Sequence, residues 1–272
     1  MRQRPVAERA GELPAVLSAP AKLTLSLEVT GRRDDGYHEL SAEMVSVSLL
    51  DTVGLEAGDG LEVVDAVRWW GRPAEEVVAS PGVPRNLAVR ALEVAGRTAF
   101  VRLTKRIPAG AGLGGGSSDA AAVLRWAGVT SHSEGARLGA DVPFCLLGGR
   151  ARVTGVGEVV EPIAAGPAHY LLVAPRLHVA TPEVYAAWDE LGGPRGDNGN
   201  DLEPAALAVA PGLRWWRDVL AAASGRRPRL AGSGGTWFVE GDEGWLAALA
   251  EQLRCEIVAA GESALVEVVG TA

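Results

Sequence analysis

The sequence predicts a soluble α+β protein built as two modest domains. Three observations carry that expectation. The chain has 272 residues, more than one ordinary domain of ~150 residues and too few for three. Apolar residues make up 47% and charged residues 22%, a balance that supports a packed core rather than disorder. Strand-like and helix-like segments alternate irregularly, without the strict βαβ order of a doubly wound sheet.

Taken in order, residues 19–29 alternate apolar and polar positions, as a strand does. Asp34-Asp35-Gly36 supplies a turn, and an apolar run over 44–50 returns as an antiparallel partner. Two short strand-like stretches follow within 52–67, separated by Gly58-Asp59-Gly60. Leu87, Ala91 and Val94 have helical spacing, with Asn86 as N-cap and Gly96 as the stop. Residues 100–105 read as a strand leading into a glycine loop, and 119–126 as the helix after it. Residues 150–160 read as strand around a Gly155-Val156-Gly157 turn, and 169–174 as a continuous apolar strand. Helices are expected over 182–191, 205–223 and 243–253, a flexible loop over 192–199, and strands over 237–240 and 265–269. The pattern thins near Glu161-Pro162, which sets the expected domains at 1–160 and 161–272. In Trp69-Trp70 and Trp215-Trp216, neighbours on a regular element, one of each pair should face outward.

Composition also narrows the function. A formal charge of −8 argues against nucleic acid as the main partner, while leaving room for a local basic pocket. Two cysteines, Cys145 and Cys255, cannot build a disulfide framework or a four-cysteine zinc site. No apolar run of about 18 residues suggests a membrane span. The polar, Arg-rich residues 1–12 do not resemble a secretory leader, so a cytoplasmic location is expected.

The most informative stretch is Pro108-Ala109-Gly110-Ala111-Gly112-Leu113-Gly114-Gly115-Gly116-Ser117-Ser118. Strand, glycine loop and helix form the arrangement that cradles a polyphosphate: glycine lets consecutive N–H groups converge on an anion, and the helix adds its positive end. The two serines can cap the helix or touch phosphate, and Ser117 is the one candidate for a magnesium contact. A tight structural turn with a serine cap is the plainer alternative. No Lys-Ser/Thr follows the last glycine, as a Walker A loop requires. Gly110, Gly112 and Gly115 match a dinucleotide fingerprint in spacing only, since the chain beyond Gly128 is polar where that fold needs a buried strand. The Asp-Phe-Gly and His-Arg-Asp tripeptides of protein kinases are absent.

The loop resembles that of the galactokinase, homoserine kinase, mevalonate kinase and phosphomevalonate kinase superfamily, Pro-x-x-x-Gly-Leu-Gly-x-x-x-Ser leading into a helix. Pro20-Ala21-Lys22-Leu23-Thr24-Leu25 and the run from Gly31 through Asp35-Gly36-Tyr37-His38-Glu39-Leu40 are similar to the opening of one of its families, the 4-diphosphocytidyl-2-C-methyl-D-erythritol kinases. Gly139-Ala140-Asp141-Val142-Pro143-Phe144, Gly155-Val156-Gly157-Glu158, Asn200-Asp201-Leu202-Glu203 and Leu230-Ala231-Gly232-Ser233-Gly234 resemble its later motifs. The likeness covers residues 19 to about 240.

The resemblance implies a two-domain kinase with its active site in the interdomain cleft. ATP with Mg2+ would phosphorylate a hydroxyl of the cytidylylated methylerythritol, a small-molecule substrate, with no obligatory protein partner. Asp141 would be the catalytic base and Lys22 its partner; a turn aspartate and a strand-edge lysine are the plainer alternatives. The glycine loop and Asn86 would bind ATP, although capping alone would explain Asn86. Thr24, Tyr37, His38, Thr181, Tyr185, Gly232, Ser233 and Gly234 would bind substrate, with Tyr37 and Tyr185 as aromatic walls and His38 reading the pyrimidine edge. Core packing is the plainer alternative for Tyr37, and a helix-face aromatic for Tyr185. Three departures stand out. Thr24 replaces a usual asparagine, Gly235 replaces a common serine, and the segment over 127–138 is short enough to have lost a helix. Another kinase of the superfamily, for mevalonate or homoserine, and a nucleotide-binding module without catalysis are the rival readings. The Tyr37-His38 pair weighs against the first; Lys22 with Asp141 weighs against the second.

Overall fold

The computed structural model describes residues 11–71 and 86–272, so the reading of residues 1–10 lies outside the described residues. β1 (Ala15–Arg32) and β2 (His38–Glu56) form a long antiparallel hairpin. The expected turn closes it: the Arg33 N–H donates to the Tyr37 carbonyl at 2.8 Å, and Gly36 takes a φ of +87°. Both strands outrun the expected spans because pairing continues through three register shifts, at Pro20/Ala21, Thr24/Ser26 and Val29/Gly31. The first falls where Pro20 has no N–H for the ladder.

β3 (Gly60–Asp65) runs parallel to β5 (Phe100–Lys105). Between them lie β4 (Trp69–Gly71) and α1 (Leu87–Val94). Asn86 caps α1, its Oδ1 accepting from the Ala88 N–H at 2.9 Å. The helix expected from residue 119 begins earlier: α2 spans Gly115–Trp126, with Gly114 at its N-cap at φ +66°. Glycine's poor helix propensity hides this start, while packing imposes it: Ala120 to Leu124 are all buried, against β1, α1 and neighbouring helices. Ser117 and Ser118 therefore sit inside the first turn and do not cap it.

The short segment keeps its helix as α3 (His132–Leu138), capped by Ser131. α4 (Val142–Leu147) follows, unforeseen in the sequence. β6 (Arg150–Gly155) and β7 (Val159–Pro162) flank the expected glycine turn. Then come β8 (His169–Pro175), α5 (Thr181–Glu190), α6 (Glu203–Val209) and α7 (Leu213–Ser224). The single helix expected over 205–223 is in fact two. Pro211 cannot donate to a continuing ladder, and the chain breaks at Ala210-Pro211-Gly212. β9 (Arg229–Leu230), β10 (Trp237–Gly241), α8 (Glu243–Ala259) and β11 (Ser263–Gly270) complete the chain.

Two sheets result. The first has the order β3-β5-β2-β6-β7, with β1 also paired to β2; the second has the order β4-β11-β8-β10-β9. β8 is buried on both faces, as its continuous apolar run requires. Tyr170, Leu172 and Ala174 of β8 meet Leu23, Leu25, Val45 and Val47 of the first hairpin in a shared core. Ile107, Ala111 and Leu113 join that core, so the apolar residues of the glycine loop anchor it between the sheets. Trp70 and Trp215 are exposed beside their more buried neighbours, as expected, and both cysteines are free. Among the described residues no helix is long and apolar enough to cross a membrane.

Candidate active site

Lys22 and Thr24 lie two residues apart on β1 and so share a face of the strand. The Lys22 Nζ sits 3.4 Å from Asp141 Oδ2 and donates to Thr24 Oγ1 at 3.2 Å. The lysine side chain is 7% exposed and the aspartate 30%, so the pair is sheltered yet open on the carboxylate side. Asp141 occupies the N-cap position of α4 but makes no side-chain capping bond. Its carboxylate is thus free to serve the lysine, and the plain reading as a cap is excluded. Thr24, in place of the asparagine, supplies a hydroxyl that holds the ammonium.

Glycines let the backbone close in around this pair. A Cβ on Gly114 would stand 2.7 Å from Lys22 Cγ and 3.6 Å from Asp141 Oδ2. One on Gly232, at φ +60°, would stand 3.5 Å from Lys22 Nζ. The Lys22 N–H donates to the Leu113 carbonyl at 3.0 Å, fastening β1 to the loop. Gly112 packs on the late motif, where an added Cβ would meet the carbonyls of Gly234 and Ala231 at 2.5 and 2.8 Å. Thr236 Oγ1 donates to the Ala111 carbonyl at 2.7 Å across the same seam. Asn200 holds the motif from behind, donating to the carbonyls of Leu230 and Gly232 at 2.9 and 2.7 Å.

A cleft of about 910 Å³ opens from Lys22 and Asp141 toward Tyr37 and His38. Thr24, Ser117, Thr181, Tyr185, Gly232 and Ser233 line it. Thr181 and Ser233 share a hydroxyl hydrogen bond of 2.7 Å. Gly234 does not line the cleft; a Cβ there would face Val179, Ala206 and Leu230. Within the glycine loop only Ser117 lines this cleft, while Gly114 packs against the Lys22 stem at its edge. α2 has neither a side-chain cap nor an acidic residue in its first turn, which leaves its N–H groups suited to an anion. Ser118 spends its hydroxyl proton on the Pro20 carbonyl at 2.6 Å, and Asn86 spends its amide oxygen on α1.

Tyr37 is 66% exposed at the cleft mouth. His38 stacks on Tyr185, with centroids 4.8 Å apart and planes at 20°, so one face of Tyr185 is already covered. Burial, and then the Asp141 charge, push the Tyr185 hydroxyl pKa up to about 12. Sequence reasoning missed Asp189, whose Oδ1 lies 2.8 Å from His38 Nε2, and Arg137, an exposed cleft residue near the end of α3. The only sequence signal for either was its place just after a quoted motif or just before one. Lys22, Arg32, Arg33 and Arg137 bring four cations to this cleft, set against the carboxylates of Asp35, Asp141, Glu158 and Asp189.

Two sheets sharing a core, a glycine loop capping a helix, and a buried lysine–aspartate pair define a small-molecule kinase. Residues 86–149 match the family described as GHMP kinases N terminal domain. A homoserine kinase from Cytophaga hutchinsonii, at 16% identity, shares the fold over 98% of this chain and 97% of its own (TM-score 0.61). A crystal structure of 4-(cytidine 5'-diphospho)-2C-methyl-D-erythritol kinase is 34% identical, covering 95% of this chain and all of its own (TM-score 0.70). The 4-diphosphocytidyl-2-C-methyl-D-erythritol kinase of Paracoccus denitrificans is 38% identical over 81% of this chain and 85% of its own length. That of Paramagnetospirillum magneticum is 36% identical over 87% and 93%. The chain belongs to the 4-diphosphocytidyl-2-C-methyl-D-erythritol kinase family.

Proposed function

We propose that Asp141 and Lys22 together drive the family reaction in this chain. The γ-phosphoryl group of ATP passes to a hydroxyl of 4-diphosphocytidyl-2-C-methyl-D-erythritol, giving the 2-phosphate of the methylerythritol phosphate route to isopentenyl diphosphate. Such a transfer needs positioning, a proton acceptor and charge neutralisation more than covalent chemistry. Asp141 takes the hydroxyl proton. Lys22, 3.4 Å away, offsets negative charge on the attacking oxygen. The backbone of residues 110–116 and the start of α2 hold the triphosphate. Arg32, Arg33 and Arg137 face the substrate diphosphate, and Tyr37 with His38 takes the cytosine.

Among the described residues no group of three His, Cys, Asp or Glu side chains could hold a metal ion. Mg2+ keeps waters and phosphate oxygens in its shell, so one protein oxygen is enough. Ser117, at the cleft wall beside the start of α2, fits that need. Bound with ATP, the ion would neutralise phosphate oxygens. Activity should vanish in excess chelator and return with added Mg2+.

The Lys22–Asp141 pair carries this reading. Asp141→Asn should still fold and bind ATP while turnover falls ~10²–10⁴-fold, the usual loss for a positioned base. Turnover equal to the parent's in the purified variant would remove Asp141 from the chemistry.

A further inference from the structure

We propose that Asp189 fixes the tautomer of His38 and thereby makes the pocket select cytosine over uracil. The inference rests on the reading of this cleft as the cytidine site. Asp189 is a positioning residue that acts through the imidazole. Its Oδ1 lies 2.8 Å from His38 Nε2, and its Oδ2 lies 3.3 Å from an Arg32 guanidinium nitrogen. The ring is locked by stacking on Tyr185 and by the edge of Trp188, with centroids 5.6 Å apart at 87°, and its side chain is 8% exposed.

An ionised carboxylate only accepts hydrogen bonds, so His38 Nε2 carries the proton. In the neutral ring Nδ1 is then bare and accepts. Among the described residues no protein group is hydrogen-bonded to Nδ1, and His38 lines the cleft. Cytosine presents an amino donor at the ring position where uracil presents a carbonyl. A bare Nδ1 pairs with the first and opposes the second with lone pair against lone pair. Arg32 makes the arrangement one-sided, since a guanidinium can only donate and Asp189 Oδ2 must accept from it.

Asp189→Asn tests this with little change in shape. The amide oxygen must turn toward Arg32, which only donates, leaving the NH2 group to face His38. Nε2 must then accept, and the proton moves to Nδ1. The measurement is kcat/KM for the cytidine diphosphate substrate against its uridine analogue at about pH 8.5, well above the usual imidazole value of ~6.5. The parent should favour cytidine by roughly 10²-fold, the cost of buried groups left mismatched. In Asp189→Asn that ratio should fall at least ten-fold, and the imidazole 15N shifts of His38 should report the exchanged tautomer. A parent that treats both bases alike would overturn the cytidine reading itself. If Asp189→Asn keeps the parent's ratio while His38→Ala loses it, the reading stands and the role of Asp189 falls. Should the variant not fold, the parent's 15N spectrum decides: a protonated Nδ1 there would overturn the proposal.

Discussion

At the scale of single residues, the proposed chemistry depends on how Lys22 is held. A lysine loses conformational freedom when it is buried, so its placement has to be supported by contacts. Here the support is Thr24 Oγ1 at 3.2 Å, Asp141 at 3.4 Å, and the backbone of Gly114 pressed against the stem. Lys22→Ala should lose turnover by ~10²-fold or more while ATP affinity changes little, because the proposed role of the lysine is at the reacting oxygen. Wild-type turnover at saturating substrate would make it structural. Thr24→Val keeps the shape and removes one hydrogen bond to a charged group, a loss of ~1.5–3 kcal/mol in a buried setting. Turnover should therefore fall about ten-fold or more, and steady-state kinetics on the purified variant would read it. An unchanged kcat would mean that Gly114 and Asp141 suffice to aim the ammonium.

At the scale of elements, the glycine loop is one half of an interlocked pair. Ala111 and Gly112 press on the turn formed by residues 231–236, with backbone facing backbone. Side chains can swing aside, whereas carbonyls cannot, so a methyl at Gly112 has no room. Gly112 also holds φ +76°, which strains any residue with a Cβ. Gly112→Ala should therefore lower both melting temperature and activity. Gly116→Ala is the matched control: the position is exposed within α2, φ is ordinary, and the nearest atom to the new methyl is Leu87 Cδ1 at 3.6 Å. That variant should keep or slightly raise the melting temperature, since alanine favours the helix by ~1 kcal/mol. Equal shifts in melting temperature at the two sites, read by thermal unfolding, would refute the interlock.

At the scale of the whole molecule, the loop's two ends are tied by buried charge. Lys105, at the end of β5, pairs with Asp51 of β2 and with Asp119 of α2. Asp51 also accepts the N–H groups of Arg106 and Ile107, at 2.6 and 2.9 Å, just before the loop begins. Burial above all, and Asp51 in addition, push the Asp119 pKa up to about 6, against the pull of Lys105. The sign follows from linkage. An unfolded aspartate releases its proton near ~3.9, so between about pH 4 and pH 6 the folded chain holds a proton that the unfolded chain has lost. This group's contribution to stability is full below that window and is lost as pH rises through it. Asp119→Asn cannot titrate there. Its melting temperature should therefore gain on the parent's as pH rises from about 4 to about 7. A difference that stays constant with pH would contradict the shift.

Much was legible in the sequence because it is local. The strand of alternating residues before Asp34-Asp35-Gly36, the Asn86 cap, the doubly buried β8 and the strand–loop–helix order all follow from side-chain period and turn chemistry. The Lys22–Asp141 pair, proposed as catalytic, was legible only through the family's motifs, since nothing local links residue 22 to residue 141. Where local preference and packing disagreed, packing won: α2 starts on glycines at Gly115 because Ala120 to Leu124 must be buried. The three-residue β4, not expected from the sequence, pairs with β11 in the second sheet, a partner far along the chain. Asp189 stayed hidden for the same reason, as its partner His38 lies 151 residues away in the chain. By itself the sequence determined which residues could turn, cap, bind phosphate or move a proton, because those properties belong to single residues and their neighbours. Only the tertiary structure decided which of them meet, because distance across the chain is set by the burial of apolar faces between the two sheets.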